Sequence, residues 1–339
     1  MTSVLHDTVN ISYPVDGLVS YHYFRNERDM LSIIRTRRLR LIGDSGAFSA
    51  YSQGAALSLG EYAEWCQQWR DHLYWIASLD VIGDPQTTYR NWKVLRDRYG
   101  LQTVPTIHAG TNTKWMDAYA AEGVDFMGLG GMVGGAPSAF RWLVKVFRHA
   151  RDNHPALRFH GWAVTHRKIT DALPFYSVDS SGVIGAAYRY GTLKVFDPGT
   201  AKHHTVQLDG QGVYKIAPLL RRVYGVNPDE IARSHPGNRA TLIKLAAATT
   251  QQWAAWLQRR HKASAPRWSI NPDCCDNDGP ATGTRVHLVN NVGSPGKSDL
   301  DRAVEAPAGT RVHIVDTGGA LPTIAGTTKT RTHDETATS

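Results

Sequence analysis

The chain has 339 residues, of which 42% are hydrophobic and 20% charged, values typical of a globular protein with a large core. It lacks both an apolar run of about 18 residues and the basic-then-apolar pattern of a signal peptide, so we expect a cytoplasmic protein without a membrane partner. Its three cysteines are Cys66, Cys274 and Cys275, and the last two are adjacent. They predict neither a disulfide framework nor a four-ligand zinc site.

The formal charge of +8 is unevenly distributed along the chain. From residue 271 onward there are six Lys/Arg and nine Asp/Glu, a net charge of −3, which leaves +11 for residues 1–270. The basic clusters are Arg35 with Arg37, Arg38 and Arg40, Lys145 with Arg148 and Arg151, and Arg259 with Arg260 and Lys262. Such a distribution would attract a polyanion by counterion release, although each cluster is equally well explained as a solvated helix face.

Short apolar runs alternate with helical patterns along most of the chain. Eight strands are predicted, at residues 18–24, 40–44, 74–80, 103–108, 124–130, 158–164, 175–179 and 192–196. Helix starts are marked by Ser58 with Glu61 and by Asp84 followed by proline, and a long helical pattern covers residues 238–260. Residues 1–263 are therefore predicted to form an α/β fold, a TIM-type (β/α)8 barrel with a C-terminal helical extension.

Residues 264–339 are rich in Gly, Pro, Thr and Asp and contain few aromatic residues. We interpret them as a tail that is either flexible or carries a small β element. The second reading comes from an internal echo, GTRVHLV at 283–289 and GTRVHIV at 309–315, which is typical of two strands of a small hairpin or sheet.

Polar residues stand where the predicted strands end, which in a barrel is the face that carries chemistry. They include Asp44, Asp80, His108 and Asp179, together with His160 and the glycine-rich segment GLGGMVGG at 128–135. Each aspartate alone is explained at least as well by a helix-capping role. Together, however, like charges at one mouth raise one another's pKa and are costly to hold without a use.

Paired carboxylates are the recurring device of glycosidic chemistry, with one as nucleophile and one as acid/base. With a basic surface, they suggest a glycosidic bond in a nucleic acid. The glycine-rich segment would let backbone groups approach a flat base closely, and it has neither the spacing of a dinucleotide fingerprint nor that of a P-loop.

Three motifs resemble those of the tRNA-guanine transglycosylase family. DSGAFS (Asp44–Ser49) resembles the family's DSGGFQ, GGMVGG (Gly130–Gly135) resembles its GGLAVG loop, and VDSSGVIGAAYR (Val178–Arg189) is similar to a segment of archaeal members. The similarity covers roughly residues 18–200. Among the branches, the short chain most resembles the phage enzymes of DpdA type, which exchange guanine in DNA for a 7-deazaguanine.

This resemblance implies a role for each matching residue. Asp179 would be the nucleophile on C1′, Asp44 the general acid/base, and Asp80 the acceptor for the guanine edge. The remaining implied substrate-binding residues are Ser45, Phe48, which would stack on the base, His108, Gly130, Gly131, Met132 and His160, which would cover the other face of the base. No metal or other cofactor is implied.

The departures from the family pattern bear on the substrate. His108 stands where the family has a glutamine, Ala47 and Ser49 replace Gly and Gln, and the cysteine-rich zinc site of the tRNA enzymes is missing from the sequence. The sequence therefore predicts a DNA-guanine transglycosylase in a phage-infected bacterial cell. It would act on a flipped or single-stranded guanine and use a free 7-deazaguanine, with the 7-cyano form expected. The alternatives are a tRNA transglycosylase, a non-catalytic nucleic-acid-binding barrel, and an unrelated barrel hydrolase acting on a small molecule.

Overall fold

The computed structural model describes residues 9–34, 39–132, 137–164, 166–180, 191–232, 238–262, 271, 274 and 285–290. The protein is a mixed α/β structure with a parallel sheet, which confirms the α/β part of the predicted fold class. The strands are β1 Val15–Ser20, β2 Leu39–Asp44, β3 Trp75–Ile76, β4 Thr106–His108, β5 Phe126–Gly130, β6 Arg158–Gly161, β7 Ser177–Ser180, β8 Thr192–Asp197, β9 Lys202–Gln207 and β10 Arg285–Asn290.

Helices follow most of the strands. They are α1 Glu27–Ile34, α2 Ala47–Ser52, α3 Leu59–Trp69, α4 Pro85–Tyr99, α5 Lys114–Ala121, α6 Pro137–Asn153, α7 Arg167–Ala172, α8 Ala217–Tyr224, α9 Pro228–Ile231 and α10 Asn238–His261. The predicted caps are confirmed: the Ser58 side chain accepts from Glu61 N–H, and that of Asp84 accepts from Thr87 N–H. None of the helices described is long and apolar enough to cross a membrane.

Eight strands form the main sheet in the order β3-β2-β1-β10-β7-β6-β5-β4, and every pairing is parallel. Its two outer strands also approach each other, because Ala77 and Val104 form an isolated parallel bridge next to β3 and β4. Val104 N–H donates to the Ile76 carbonyl at 2.8 Å, and Ser78 N–H donates to the Val104 carbonyl at 2.8 Å. The outer strands are thus hydrogen-bonded to each other through the residues beside them.

The eighth predicted strand is not part of this sheet. Residues 192–196 lie in β8, which pairs antiparallel with β9 in a separate two-stranded sheet. The apolar alternation of β8 is real, since Leu193 and Val195 are buried, but they pack against helices α8 and α10. A periodic pattern indicates that a segment is a strand, but it does not indicate which strand it pairs with. The assignment of residues 192–196 to the main sheet was therefore wrong.

The strand that completes the sheet comes from the predicted tail. β10, at Arg285–Asn290, lies between β1 and β7 and pairs with both. Upstream, Asn271 N–H donates to the Tyr74 carbonyl at 2.8 Å, and Cys274 packs against a cluster that includes Leu18 and Ile42. The first copy of the internal echo is therefore a central strand of the main sheet and not a separate element; the second copy, at 309–315, lies outside the described residues.

Helix α10 packs against three separate clusters of the core. Ile243 packs with the cluster around β1 and β2, Leu245 with the β8–β9 hairpin, and Trp253 with the cluster around β5 and β6. A helix in contact on so many sides has no polar stripe, which accounts for its run of small and apolar residues from Leu245 to Thr250. The predicted helical extension is thus confirmed as part of the core.

Candidate active site

The turn after β2 presents Asp44 at the end of its strand. Asp44 pairs with Ser20 across the β1–β2 ladder, and Gly46 N–H donates to Asp44 Oδ2 at 3.0 Å. Gly46 has φ of +74°, and a Cβ there would lie 2.4 Å from His22 Cβ and 2.5 Å from Ser20 Oγ. The turn therefore requires glycine for both its backbone conformation and its close packing.

The Asp44 carboxyl is only partly exposed and lies near two other acids. Burial raises its pKa to about 7, and the negative charges of Asp80 and Asp179 add to that increase. The hydrogen bond from Gly46 N–H and the nearby Ser20 hydroxyl oppose the increase without cancelling it. Asp44 is thus a carboxyl group that can both give and take a proton near neutral pH, as a general acid/base must.

Asp80 is held from two sides. The Ser45 hydroxyl donates to Asp80 Oδ1 at 3.2 Å, and His108 Nε2 lies 2.8 Å from Oδ2. The Ser45 side chain is fully buried and also accepts from Ala47 N–H. Ser45 therefore fits a positioning role for Asp80 better than the predicted direct contact with substrate, and His108 is a hydrogen-bond partner of Asp80.

Asp179 stands at the third residue of β7 and is almost fully buried. Its Oδ1 atom accepts from Ala163 N–H at 2.6 Å and lies 3.4 Å from His160 Nε2. Ala163 has φ of +55°, a left-handed conformation that a non-glycine residue rarely adopts. The loop after β6 is thus held in a strained conformation in which its backbone donates to the carboxylate.

His160 does not lie where a base could stack on it. Its side chain is fully buried, its ring packs edge-on against Trp75 and Trp162, and Nδ1 lies 2.8 Å from Ser177 Oγ. Burial lowers the pKa of His160 despite the nearby Asp179 carboxylate, so the ring is neutral and carries one proton. The predicted stacking role does not fit this arrangement; the ring contacts the candidate nucleophile.

The segment after β5 approaches the site through its backbone. Gly130 ends the strand, Gly131 has φ of +77°, and a Cβ on Gly131 would lie 3.0 Å from Ala109 N. The Met132 side chain is buried in the core, so only its backbone could contact a ligand, which is the contact the resemblance implies. The rest of the motif, 133–135, lies outside the described residues, as do residues 181–189 of the third motif.

Two aromatic side chains are exposed on α2, the short helix that follows the Asp44 turn. Phe48, the predicted stacking residue, is 55% exposed, and Tyr51 is 67% exposed. Exposed rings beside a carboxylate site are typical of a stacking platform for bases. Tyr51 was not singled out in the sequence because a lone aromatic on a short helix has no distinguishing pattern.

Sequence reasoning also missed the residues behind the acids. Five further residues lie close to Asp44, His160 or Asp179: Ser20, Trp75, Trp162, Ala163 and Ser177. Ser20 is the last residue of β1, a position that could have signalled it, whereas Ser177 begins β7 and has no such signal. Ala163 acts through its backbone, which no sequence pattern reports.

The basic clusters differ in their environment. Arg40 is buried and paired with Asp16, so it is not a surface cation. Lys145, Arg148 and Arg151 are exposed on α6, and Arg259, Arg260 and Lys262 are exposed around the end of α10. Arg35, Arg37 and Arg38 lie outside the described residues. An exposed positive surface is therefore present on at least two elements.

Comparison of the sequence with protein-family models and with curated proteins returns no match.

Proposed function

We propose that this protein is a base-exchanging transglycosylase that replaces guanine in DNA with a 7-deazaguanine, the 7-cyano form being expected, through a covalent glycosyl-aspartate at Asp179. One observation carries the proposal. A carboxyl group with a pKa near 7, Asp44, shares a site with a carboxylate that has one oxygen held by a backbone donor, Asp179. Two such groups with different roles are what glycosidic exchange requires.

The proposal includes a closed (β/α)8 barrel. The eight parallel strands and the bridge between Ala77 and Val104 support closure, because together they give every strand of the main sheet a neighbour on each side. In such a barrel the carboxyl ends of the strands form the active face. The candidate site lies at those ends.

In the first step, an oxygen of Asp179 attacks C1′ of the deoxyribose and the bond from C1′ to N9 of guanine breaks. The leaving guanine takes its proton from the carboxyl of Asp44. Because Oδ1 of Asp179 accepts from Ala163 N–H, Oδ2 is the oxygen better placed to attack. The product is a glycosyl ester of Asp179 and free guanine.

In the second step, N9 of the incoming 7-deazaguanine loses its proton to the Asp44 carboxylate and attacks C1′. The ester bond breaks and Asp179 is released as a carboxylate. The ester conserves the energy of the glycosidic bond, so the exchange needs no nucleotide hydrolysis. One residue serves as acid and then as base because its pKa lies near the working pH.

Base recognition falls to the groups around Asp80. Its carboxylate, oriented by Ser45 and His108, would accept hydrogen bonds from the guanine edge, and the backbone at Gly131 would contact the base. Phe48 would stack on the exposed face of the base. None of these contacts is possible for a base inside a duplex, so the substrate is flipped or single-stranded.

Charge supports a polynucleotide substrate, since residues 1–270 carry a net +11 and exposed cations lie on α6 and near the end of α10. The choice of DNA over tRNA depends on the resemblance to the phage branch and on the absence from the sequence of the cysteine-rich zinc motif of the tRNA enzymes.

The deciding experiment offers radiolabelled guanine with single-stranded DNA, duplex DNA or tRNA to the purified full chain. We expect label in DNA, with a steep fall as salt rises because several Lys/Arg–phosphate contacts are lost. Omission of the free base should trap a covalent DNA adduct on denaturing gels. Asp179→Asn should abolish the adduct, whereas Asp152→Asn, an exposed control on α6, should not.

Other outcomes would redirect the proposal. Label in tRNA alone would keep the roles of Asp44 and Asp179 and change the substrate. Binding of nucleic acid without label or adduct would favour the non-catalytic barrel, and an adduct that survives Asp179→Asn would remove the assigned nucleophile.

A further inference from the structure

A second group of functional side chains lies away from the strand ends, between helices α5 and α6. Asp117 is in the first turn of α5, His149 is near the end of α6, and His154 follows that helix directly. Among the described residues, these three alone combine histidine and acidic donor atoms that all lie within 4.8 Å of one another. The transglycosylase chemistry proposed above uses none of them.

The three side chains converge on one point. Nε2 of His149 and Nε2 of His154 each lie 2.6 Å from the same oxygen, Oδ1 of Asp117. The two rings are 5.9 Å apart between centroids, so they approach that oxygen from different directions. All three side chains keep between 25% and 44% of their surface exposed, and an ion could reach them from solvent.

The donor arrangement suits a cation. Both imidazoles direct a ring nitrogen at the same carboxylate oxygen of Asp117. A cation between them would replace the protons that the rings now direct at the carboxylate oxygen.

We propose that Asp117, His149 and His154 form a binding site for a divalent transition-metal ion of the zinc class. Two imidazole nitrogens and one carboxylate oxygen are a ligand set typical of Zn²⁺, Co²⁺, Ni²⁺ and Cu²⁺, and not of Mg²⁺ or Ca²⁺, which prefer oxygen alone. Three protein ligands leave at least one position for water.

The donor atoms must separate slightly to admit the ion. With metal–ligand distances of about 2.0 to 2.2 Å, donors in a tetrahedral site lie roughly 3.3 Å apart. The present 2.6 Å contacts must therefore lengthen by about 0.7 Å. A rotation of the Asp117 side chain can lengthen both contacts, because Oδ1 of Asp117 is common to them.

The competing explanation is that the two histidines only fasten α6 to α5 through Asp117. Both explanations predict that substitution of these residues destabilises the protein. They differ in whether a metal ion binds, and the test must therefore measure binding.

Zn²⁺ titration of the untagged full chain by calorimetry tests the proposal. We expect one saturable site, and His149→Gln or His154→Gln should weaken it at least about tenfold, the smallest effect usually seen when a zinc site loses even an indirect partner. His204→Gln is the matched control, because His204 faces a single carboxylate, Asp197, at 3.8 Å. It should leave the affinity unchanged.

A measurement on the unmodified chain guards against variants that fail to fold. Diethyl pyrocarbonate modifies accessible histidines, and mass spectrometry locates the modified residues. Zn²⁺ should protect His149 and His154 and leave His204 reactive. The proposal is overturned if no saturable Zn²⁺ binding occurs, if His149→Gln and His154→Gln bind as the unmodified chain does, or if Zn²⁺ protects neither ring.

Discussion

Nε2 of His160 lies 3.4 Å from Oδ1 of Asp179, while Nδ1 of the same ring lies 2.8 Å from the hydroxyl of Ser177. Burial keeps the ring neutral, so it carries one proton. With that proton on Nε2, facing the carboxylate, Nδ1 accepts from Ser177. The ring N–H then faces Oδ1 of Asp179 and fixes the orientation of the carboxylate. His160 is therefore a positioning residue for the proposed nucleophile.

His160→Phe should therefore lower kcat for base exchange by about 10²-fold, the cost of a slightly misplaced reacting group, with little change in KM for DNA. His160→Gln, which can keep an N–H near the position of Nε2, should retain more activity. Single-turnover adduct formation measures both. Equal losses in the two variants at matched thermal stability would mean that the ring nitrogen is not what positions Asp179.

Asp44 makes stability depend on pH. Its folded pKa of about 7 exceeds the value of 3.8 for an ordinary aspartate, so the folded state binds this proton more tightly than the unfolded state does. The contribution of Asp44 is therefore fully favourable below about pH 4 and is lost as pH rises through about 7. Asp44→Asn should raise the free energy of unfolding near pH 8 by about 1 to 4 kcal/mol and leave it unchanged near pH 4.

Asp84→Asn is a control, because its effect on the free energy of unfolding near neutral pH should have the opposite sign. Hydrogen bonds from Thr87 lower the pKa of Asp84, so its charge favours the folded state. This variant should be less stable than the unmodified chain near neutral pH and should approach it in acid. Denaturant unfolding at several pH values measures both effects. An Asp44→Asn variant with no pH-dependent gain would contradict the raised pKa of Asp44.

The same pKa sets the pH profile of the proposed reaction. Release of guanine requires the protonated form of Asp44, so the rate of adduct formation should fall about tenfold for each pH unit above about 7. Asp44→Asn should remove this limb and lower the rate by about 10²- to 10⁴-fold. Quenched single-turnover assays at several pH values measure the rate of adduct formation. If the rate in the variant still falls above about pH 7, another group is the acid.

Gly46→Ala should disrupt the Asp44 turn, because a Cβ would lie 2.4 Å from His22 Cβ on a backbone with φ of +74°. The expected loss is about 2 to 5 kcal/mol, from left-handed strain together with overpacking. Gly54→Ala is the matched control, since Gly54 has φ of +65° and a Cβ added there would have no atom within 4 Å. It should cost only about 1 to 2 kcal/mol. Chemical denaturation measures both, and equal losses would show that packing around Gly46 is not restrictive.

Chains of two lengths test the role of β10. A chain that ends after residue 262 lacks β10 and exposes the paired edges of β1 and β7, so it should aggregate or unfold. A chain that ends after residue 300 keeps the strand and should fold. Circular dichroism and size-exclusion chromatography compare the two, and a stable, monomeric shorter chain would contradict the placement of β10 in the sheet.

The sequence by itself determined the local structure. Short apolar runs located β2 and β5 to within a few residues, and capping residues marked where α3 and α4 begin. These features depend on near neighbours along the chain, which a sequence displays directly. The placement of Asp44, Asp80 and Asp179 at or just beyond strand ends also follows from this local reading, and for that reason the acids could be singled out without a structure.

Only the tertiary structure decided which strands pair and what surrounds each acid. It replaced residues 192–196 with Arg285–Asn290 as the eighth strand, buried His160 behind Asp179, and brought Asp117 together with two histidines more than thirty residues away. The physical reason is common to all three. Strand partners, burial and pKa depend on contacts between segments remote in sequence, and the local pattern of each segment is the same whichever partner it meets.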